Sequence, residues 1–343
     1  MEGNGEYKLE HVVWVLTTNC NLNCMHCRYS GSEADSNQLT TEESLKLCKE
    51  LAELNVNDLS FTGGEPLTRS DWEIIAKELI DAGIKLNIIS NGLLINEDIV
   101  SKLKDLNVNS VALSLDGASA DTHDHIRGVN GSFSQVLRAI DLLKDANIVT
   151  SIVTTVSKLN FEELPKIKEI LQDKNIIWQV LPAFMESKSK EQNFVLSDEE
   201  YYSLGLYIMH ASKDMHVLAA HNMGYHSDQL TNLPVYPVWD CCQAGISLIG
   251  ILSNGDITGC CSLPNNITEG NVREHSLKEI WNDPNSFEYN RKFTKENLGE
   301  NCRDCQYGES CKGGCCVISN FSTGKFHNDP YCFHRLEKQK KML

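Results

Sequence analysis

Three cysteines near the start of the chain have a spacing that predicts chemistry. They lie in Cys20-Asn-Leu-Asn-Cys24-Met-His-Cys27, a Cys-x3-Cys-x2-Cys pattern with no fourth cysteine close by. A [4Fe–4S] cluster needs a ligand for each of its four irons, so three thiolates leave one iron open. A structural zinc site usually has four ligands at other spacings. The pattern therefore predicts a cluster whose open iron can chelate a small molecule through an amine and a carboxylate.

Six βα units are predicted to position this cysteine loop. Apolar runs predict strands at His11–Thr17, Asp58–Phe61, Lys85–Ile89, Ser110–Leu115, Thr150–Val156 and Ile176–Leu181. Amphipathic stretches predict helices at Thr40–Leu54, Trp72–Ala82, Phe133–Ala146 and Phe161–Leu171. This alternation is typical of an α/β fold with a parallel sheet. Six units rather than eight predict a partial (β/α)6 barrel, open on one side, with functional groups at the carboxyl ends of its strands.

The carboxyl ends of these strands carry polar or glycine-rich segments. Gly63-Gly64-Glu65-Pro66 follows the second strand, Ser90 and Asn91 end the third, and Ser114 and Asp116 end the fourth. Together with the cysteine triad, these segments resemble the radical S-adenosylmethionine (SAM) superfamily. In that superfamily the cluster passes one electron to SAM and cleaves it. The resulting 5′-deoxyadenosyl radical abstracts a hydrogen atom from the substrate.

The resemblance implies contacts to SAM at these strand ends. The Gly63–Pro66 segment is expected to meet the methionine amino group, because glycine permits close approach of the backbone. Ser90, Asn91 and Ser114 are expected to contact the ribose and the methionine carboxylate, with Asp116 shaping the same strand end. A plain strand-to-helix turn is the alternative for the glycine-rich segment.

Three further residues are assigned to SAM by the same resemblance. Arg127, in His125-Ile126-Arg127-Gly128, is expected to pair with the SAM carboxylate, since a guanidinium is permanently charged and grips a carboxylate bidentately. His26 is expected to line the adenine, and Leu181 to offer it backbone contacts. A solvated surface arginine and an ordinary loop histidine are the alternatives.

A second group of cysteines lies near the end of the chain. Cys302-x2-Cys305-x5-Cys311-x3-Cys315 is followed by Cys332 and preceded by Cys242 and Cys260. Cys-x2-Cys pairs also suit zinc ribbons, but this order resembles the SPASM domain, in which seven cysteines ligate two auxiliary [4Fe–4S] clusters. The resemblance assigns a distal cluster to Cys302, Cys305, Cys311 and Cys332. It assigns a nearer cluster to Cys242, Cys260 and Cys315, with Cys241 as a candidate for its fourth ligand.

Three cysteines are left over, each adjacent to an expected ligand: Cys241, Cys261 and Cys316. Sulfatase-maturing relatives have a carboxylate base at the position of Cys261, so the thiol argues against that activity. Radical peptide epimerases use a cysteine thiol to return a hydrogen atom to the substrate. Cys261 is therefore a candidate hydrogen donor, with a buried spare thiol as the alternative.

Composition bounds the class of protein. The chain has 343 residues, a formal net charge of −16 and no apolar run long enough to span a bilayer. These features predict no nucleic-acid or membrane partner. No signal peptide is evident, so we expect a cytoplasmic protein whose fourteen cysteines bind metal rather than form disulfides. The predicted divisions are a barrel at 1–185, a bridge at 186–240, a SPASM domain at 241–335 and a tail at 336–343.

The bridge contains scattered histidines in a turn-rich stretch. Irregular spacing argues against a metal site there, so one of these histidines or Tyr225 is expected to touch substrate, with Asp240 as a further candidate. The histidines are His210, His216, His221 and His226.

The family implies SAM and three [4Fe–4S] clusters as cofactors, with a flavodoxin or ferredoxin as electron donor. The leading prediction is modification of a ribosomally synthesised peptide by cross-linking, thioether formation or epimerisation. Because Cys20 comes too early for an N-terminal leader-binding domain, a separate leader-binding protein is one expected partner. The alternatives are a tetrapyrrole side-chain or other small-molecule enzyme, and a non-enzymatic iron–sulfur carrier or zinc-binding module.

Overall fold

One mixed sheet of eleven strands organises the described part of the chain. The computed structural model describes residues 7–27, 35–184, 194–236 and 238–339, without the side chains of residues 221 and 236. The strand order is β11-β10-β9-β1-β2-β3-β4-β5-β6-β7-β8. The pairs from β9 through β1 to β8 are all parallel, whereas β9–β10 and β10–β11 are antiparallel. The two edge strands do not meet among the described residues, so the sheet is an open partial barrel, which confirms the predicted fold class.

Strands and helices alternate through the first half as predicted. The strands are β1 His11–Thr17, β2 Asp58–Gly63, β3 Lys85–Ser90, β4 Ser110–Ser114, β5 Thr150–Val156, β6 Ile177–Pro182, β7 Val217–Ala220, β8 Val235–Tyr236, β9 Leu248–Ile251, β10 Asp256–Thr258 and β11 Gly270–Asn271. The helices are α1 Thr41–Glu53, α2 Trp72–Asp81, α3 Glu97–Asp105, α4 Ala120–Arg127, α5 Ser132–Asp145, α6 Leu164–Leu171, α7 Asp198–Ala211, α8 Leu277–Asn282, α9 Glu288–Arg291, α10 Gly308–Cys311, α11 Cys316–Thr323 and α12 Phe333–Lys338.

Alternating burial gives the sheet two different faces. Trp14, Phe61, Leu113 and Trp178 are fully buried and belong to the same apolar core as the helix residues. Their neighbours along each strand point to the opposite face, because successive strand side chains alternate. Six residues on that inner face, one from each of β1 to β6, are only half-buried: Val13, Thr62, Ile89, Ser114, Thr155 and Leu181. The inner face is therefore the concave surface of the barrel, left without a packing layer of its own.

The bridge was predicted to be mostly irregular, but it contains a helix and two strands of the sheet. Helix α7 begins at a capping box formed by Ser197 and Glu200, and β7 and β8 then extend the barrel sheet in parallel. Four-residue and two-residue strands are too short to leave a clear periodic signal. Helices α3 and α4 were also not predicted. The start of the bridge, residues 185–193, lies outside the described residues.

The C-terminal region is joined to the barrel by backbone hydrogen bonds. Strand β9 pairs in parallel with β1, with Val13 opposite Gly250 and Trp14 opposite Ile251. Strands β10 and β11 then add an antiparallel hairpin edge. Helix α12 runs across the predicted boundary at residue 335. The C-terminal cysteines are therefore attached to the same sheet that carries the first cysteine loop.

Candidate functional site

The first cysteine loop is held by main-chain hydrogen bonds at the carboxyl ends of β1 and β2. The Gly64 amide donates to Thr17 O at 2.8 Å, and the Glu65 amide donates to Asn19 O at 2.8 Å. On the other side of the loop, the Asn23 amide donates to Arg127 O at 3.2 Å. The loop conformation is thus set by the strand ends and by the end of α4.

Glycines are required where this loop crosses the strand ends. A Cβ on Gly63 would lie 2.2 Å from Thr17 O, and one on Gly64 would lie 2.2 Å from Asn19 O. Gly63 also has a positive φ of 139°, which side-chain-bearing residues avoid. The backbone that approaches these two glycines closely is the start of the cysteine loop, which packs directly on the Gly63–Pro66 segment.

Glu65 connects the ends of β2 and β3. Its carboxylate accepts hydrogen bonds from Ser90 Oγ at 3.0 Å, the Asn91 amide at 2.7 Å and the Leu67 amide at 3.2 Å. The side chain is fully buried, and this burial raises the pKa of Glu65 to about 7 despite the three donors. A carboxyl that changes charge near neutral pH thus lies directly below the cysteine loop.

Asn91 extends this network to the cysteines. Its Nδ2 donates to Asn21 Oδ1 at 2.7 Å and lies 4.0 Å from Cys20 Sγ. Cys20, Glu65, Ser90 and Asn91 are therefore brought together, as the strand-end motifs predicted. Two further residues expected to contact SAM lie on the inner face: Ser114 is the last residue of β4, and Leu181 is on β6.

A buried ion pair lies on the opposite side of the loop. Arg127 Nη2 lies 2.6 Å from Asp116 Oδ2, and both side chains are nearly inaccessible. Arg127 Nη1 also donates to Cys24 Sγ at 3.7 Å, and His26 Nε2 lies 3.7 Å from the same Asp116 oxygen. Burial lowers the pKa of His26 to about 4, so the imidazole is neutral near pH 7. Asp116 therefore orients the arginine as well as ending its strand.

Three supporting side chains were not predicted. His123 Nδ1 accepts a hydrogen bond from the Asp116 amide at 3.1 Å, and Asn160 Nδ2 donates to Asp116 O at 2.9 Å. Arg69 donates to Leu16 O at 3.0 Å and pairs with Asp71 at 2.6 Å. The only available signal was that Arg69 and His123 lie within a few residues of the strand-end motifs, which does not reveal their contacts.

Four C-terminal cysteines surround one cavity. It has a volume of about 320 Å³ and is lined by Cys302, Cys305, Cys311 and Cys332, with Asp329 and Tyr225 among its other walls. Burial raises the pKa of Cys302 and of Cys332 to about 12. The cavity brings together the four cysteines that were assigned to the distal cluster.

Four of the remaining C-terminal thiols, those of Cys242, Cys260, Cys315 and Cys316, form a second group. Cys260 packs against the apolar cluster that contains Cys315 and against the one that contains Cys242 and Cys316. Asp329 lies between the two thiol groups, where its carboxylate accepts from the Cys315 amide at 3.0 Å and from the Tyr331 amide at 2.8 Å. Burial raises the pKa of Asp329 to about 7. Neither Cys316 nor Asp329 was predicted to take part in the site.

Cys261 faces the barrel rather than the other C-terminal thiols. Its Sγ donates to Val13 O at 3.1 Å and would lie 2.7 Å from a Cβ on Gly250. Gly250 is the register partner of Val13, whose side chain is on the half-buried inner face of the sheet. The thiol therefore occupies the space of the missing Gly250 side chain, at the wall of the open barrel.

Two family models match the chain. The radical SAM superfamily model matches residues 14–171, and the SPASM model, an iron–sulfur cluster-binding domain, matches residues 241–306. The AdoMet-dependent heme synthase of Methanosarcina barkeri is 30% identical to the chain, over 96% of this chain and 97% of that protein. The chain belongs to the radical SAM superfamily.

This radical SAM enzyme has other relatives with different names. The mycofactocin maturase MftC of Mycobacterium ulcerans is 26% identical over 91% of this chain and 84% of that protein. Streptococcus suis SuiB bound to S-adenosylmethionine has a TM-score of 0.74 at 19% identity, covering 96% of this chain and 76% of that one. The likeness to SuiB concerns the fold.

The family assignment decides between two classes that the sequence left open. Membership of the radical SAM superfamily, with a SPASM domain, identifies an enzyme, so the non-enzymatic carrier or zinc-binding alternative is wrong. No helix in the described ranges is long and apolar enough to cross a membrane.

The thiols of the radical SAM enzyme fit iron–sulfur clusters. All fourteen cysteines lie in the described part of the chain and none forms a disulfide, although many are grouped. Burial raises the pKa of Cys20 to about 11 and also raises that of Cys24, so these thiols need a cation before they ionise at pH 7. Arg127 Nε and His26 Nδ1 are buried beside the loop with no hydrogen-bond partner among the described residues.

Proposed function

We propose that Cys20, Cys24 and Cys27 hold a [4Fe–4S] cluster and that SAM binds it over the carboxyl ends of β2, β3 and β4. The observation that carries this proposal is the continuous network from Cys20 through Asn91 to Glu65, with Arg127 against Cys24 on the other side. When bound, the cluster supplies the electron that cleaves SAM and so starts hydrogen abstraction from the substrate.

The chain's own residues prepare the site electrostatically. The Glu65 carboxylate, once ionised, would accept a hydrogen bond from the amino group of SAM. The backbone amides of Leu67 and Asn91, which already donate to this carboxylate, would keep it in its present orientation. Arg127 carries its positive charge toward Cys24 and favours the thiolate. The ion pair with Asp116 holds this guanidinium in position beside the loop.

We further propose a peptide as the substrate class. One half-buried inner-face residue from each of β1 to β6 has a neutral side chain: Val13, Thr62, Ile89, Ser114, Thr155 and Leu181. Among the described residues, the two buried guanidiniums, Arg69 and Arg127, are each already paired with a carboxylate. These two arginines would therefore offer little to a substrate with several carboxylates, whereas a peptide backbone can use the hydroxyl groups of the wall. The relative named mycofactocin maturase supports this choice.

A tetrapyrrole side-chain reaction is the second candidate. The specific support is the match to the AdoMet-dependent heme synthase of Methanosarcina barkeri, which extends over almost the full length of both chains. A relative named Fe-coproporphyrin III synthase is also 27% identical over 94% of this chain. This candidate requires cationic contacts for the substrate's carboxylates.

The test begins with the purified, anaerobically reconstituted enzyme, dithionite and SAM. Formation of 5′-deoxyadenosine would support the SAM site, and no 5′-deoxyadenosine from a fully loaded enzyme would contradict it. The enzyme is then co-expressed in deuterated water with each short open reading frame beside its gene, and separately incubated with iron-coproporphyrin.

Mass spectrometry distinguishes the outcomes of this second experiment. Loss of two hydrogens from a peptide indicates a cross-link or thioether, and gain of one non-exchangeable deuterium indicates epimerisation. Decarboxylated porphyrin without any modified peptide would replace the peptide proposal by the tetrapyrrole one.

We propose Cys261 as the hydrogen donor if the product is an epimer. Its thiol lies at the inner wall beside Val13 and Gly250, where a substrate bound in the barrel can reach it. Cys261→Ala is expected to abolish deuterium incorporation while SAM cleavage continues. Unchanged product and rate in this variant would remove the role, and Cys48→Ala, which changes a buried thiol in α1, is the control.

A further inference from the structure

Three pairs of adjacent cysteines surround the nearer auxiliary site: Cys241 and Cys242, Cys260 and Cys261, and Cys315 and Cys316. The family resemblance assigns one member of each pair as a ligand and leaves the fourth iron without one. The second members have different surroundings. Cys261 turns toward β1, as described above, so Cys241 and Cys316 are the two thiols to compare.

Cys316 lies inside the thiol group. It is fully buried, and it packs in one apolar cluster with Cys242 and Ala244, against the partly buried Cys260. Its thiol lies close enough to interact electrostatically with Cys242, Cys315 and Cys260. The main chain is extended at Cys315, with φ −74° and ψ 122°, and becomes helical at Cys316. This bend allows two adjacent side chains to reach the same group.

Cys241 lies at the border of the group. It is only partly buried, and its Sγ accepts a hydrogen bond from Gln243 Nε2 at 3.6 Å. The charges that act on it are Lys312, Cys242 and Asp240. Cys241 is therefore linked to the thiol group through its chain neighbour Cys242, and its Sγ already has the Gln243 side-chain amide as a hydrogen-bond donor.

Two buried hydroxyl groups without hydrogen-bond partners are evidence for a ligand inside the second thiol group. Tyr225 Oη and Tyr289 Oη are inaccessible and have no hydrogen-bond partner in the described part of the chain. Both rings interact electrostatically with Cys242 and Cys316. A buried hydroxyl without a partner is costly, and the sulfides of an iron–sulfur cluster are acceptors that would satisfy it.

We propose that Cys316 is the fourth ligand of the nearer auxiliary [4Fe–4S] cluster, with Cys242, Cys260 and Cys315. On loading, the Cys316 Sγ–H bond breaks, its proton leaves to solvent, and an Sγ–Fe bond forms without a change in electron count. This inference rests on the proposed function only in assuming that the SPASM domain is loaded with iron.

A closed cluster has a functional consequence. With four thiolates, no iron of the nearer cluster is open to an amine or carboxylate of the substrate. An auxiliary cluster can bind substrate through an open iron or accept an electron, and this ligand set leaves electron acceptance.

The test uses full-length protein in which Cys20, Cys24 and Cys27 are all changed to Ala, so that only auxiliary iron remains. Cys316→Ala, Cys316→Ser and Cys241→Ala are each added to this background and reconstituted anaerobically. Iron content and the electron paramagnetic resonance spectrum of the reduced protein are measured, and neither depends on SAM cleavage or on any substrate.

We expect Cys316→Ala to lose between about one and four iron atoms per chain and to change one of two overlapping resonance signals. Cys241→Ala should match the background in both measurements. Retention of full iron and an unchanged spectrum in Cys316→Ala would overturn the proposal, as would loss of iron in Cys241→Ala alone. If Cys316→Ala does not fold, Cys316→Ser, which keeps the side-chain size, gives the decision: a shifted signal supports the proposal and an unchanged one overturns it.

Discussion

The two cysteine regions of this enzyme are built in different ways. At the first site, three thiols come from one short loop whose backbone is bound to Thr17, Gly64 and the end of α4. In the C-terminal region, the second thiol group collects cysteines that are separated along the chain, such as Cys242 and Cys316. A loop that carries all three cysteines can be recognised from their spacing in the sequence. A thiol group assembled from distant segments depends on tertiary packing.

The largest expected effect separates the two regions by their chemistry. Cys24→Ala should reduce 5′-deoxyadenosine formation by about a thousandfold or more, because it removes a proposed ligand of the SAM-binding cluster. Cys302→Ala should leave SAM cleavage within about tenfold of the parent while product formation stops. Both are measured by chromatography of 5′-deoxyadenosine and product. Equal loss of SAM cleavage in the two variants would break the comparison.

The control for these variants is Cys48→Ala. Cys48 is completely buried in α1, away from both thiol groups. We expect a cost of about 1 kcal/mol in unfolding free energy, because a small buried group is removed, and full iron content at every site.

A buried ion pair gives the next largest effect. Arg127→Ala leaves the fully buried Asp116 carboxylate without its partner, and we expect a loss of about 3–5 kcal/mol in unfolding free energy. Denaturant unfolding of the apoprotein measures it. Arg138→Ala is the matched control, because its pair with Glu97 is exposed and should contribute less than about 1 kcal/mol. Similar costs for both variants would contradict the role of Asp116 in orienting Arg127.

Gly64→Ala tests the backbone support of the first site alone. The added Cβ would lie 2.2 Å from Asn19 O and 2.5 Å from Thr18 O, so the loop must move, at a cost of about 3 kcal/mol. Iron should be lost from the first cluster and retained in the SPASM domain, as iron analysis and resonance spectra would reveal. Gly83→Ala, where a Cβ meets open space, should keep all iron. Loss of SPASM iron in Gly64→Ala would show that the regions are not independent.

The smallest expected effect is a pH dependence of the unfolding free energy, to which each cysteine region contributes one buried carboxyl group. Burial raises the pKa of Glu65 and of Asp329 to about 7. A raised folded-state pKa means that the folded protein holds the proton more strongly than the unfolded chain. Stability is therefore present at low pH and is lost as pH rises through about 7. For each group the apoprotein should lose about 1 kcal/mol between about pH 6 and about pH 8.

Glu65→Gln and Asp329→Asn should each remove one part of this pH dependence, and the double variant should remove both. Denaturant unfolding at the two pH values measures the slopes. Glu43→Gln is the control, since hydrogen bonds from Arg273 and Thr40 hold the pKa of Glu43 at about 2, far below this range. A parent protein that is more stable at the higher pH would contradict the burial of both carboxyls.

Much of the barrel was predictable because strands and helices have their own periodicities. The six predicted strands are present, and the ends of β2, β3 and β4 carry the residues that the motifs indicated. Strands β7 and β8 were missed because they are too short to show alternation. The continuation of the sheet from β1 to β9 was missed because pairing between distant segments leaves no local pattern.

The sequence by itself determined which residues could do chemistry at the first site. The spacing of Cys20, Cys24 and Cys27, and the glycines that support their loop, are properties of short segments that spacing can reveal. Tertiary structure alone decided which side chains contact one another: Asp116 with Arg127, Cys261 with β1, and Cys316 with the group around Cys242. Adjacent cysteines are equivalent in a sequence, but the direction of each side chain depends on the backbone bend and the packing around it.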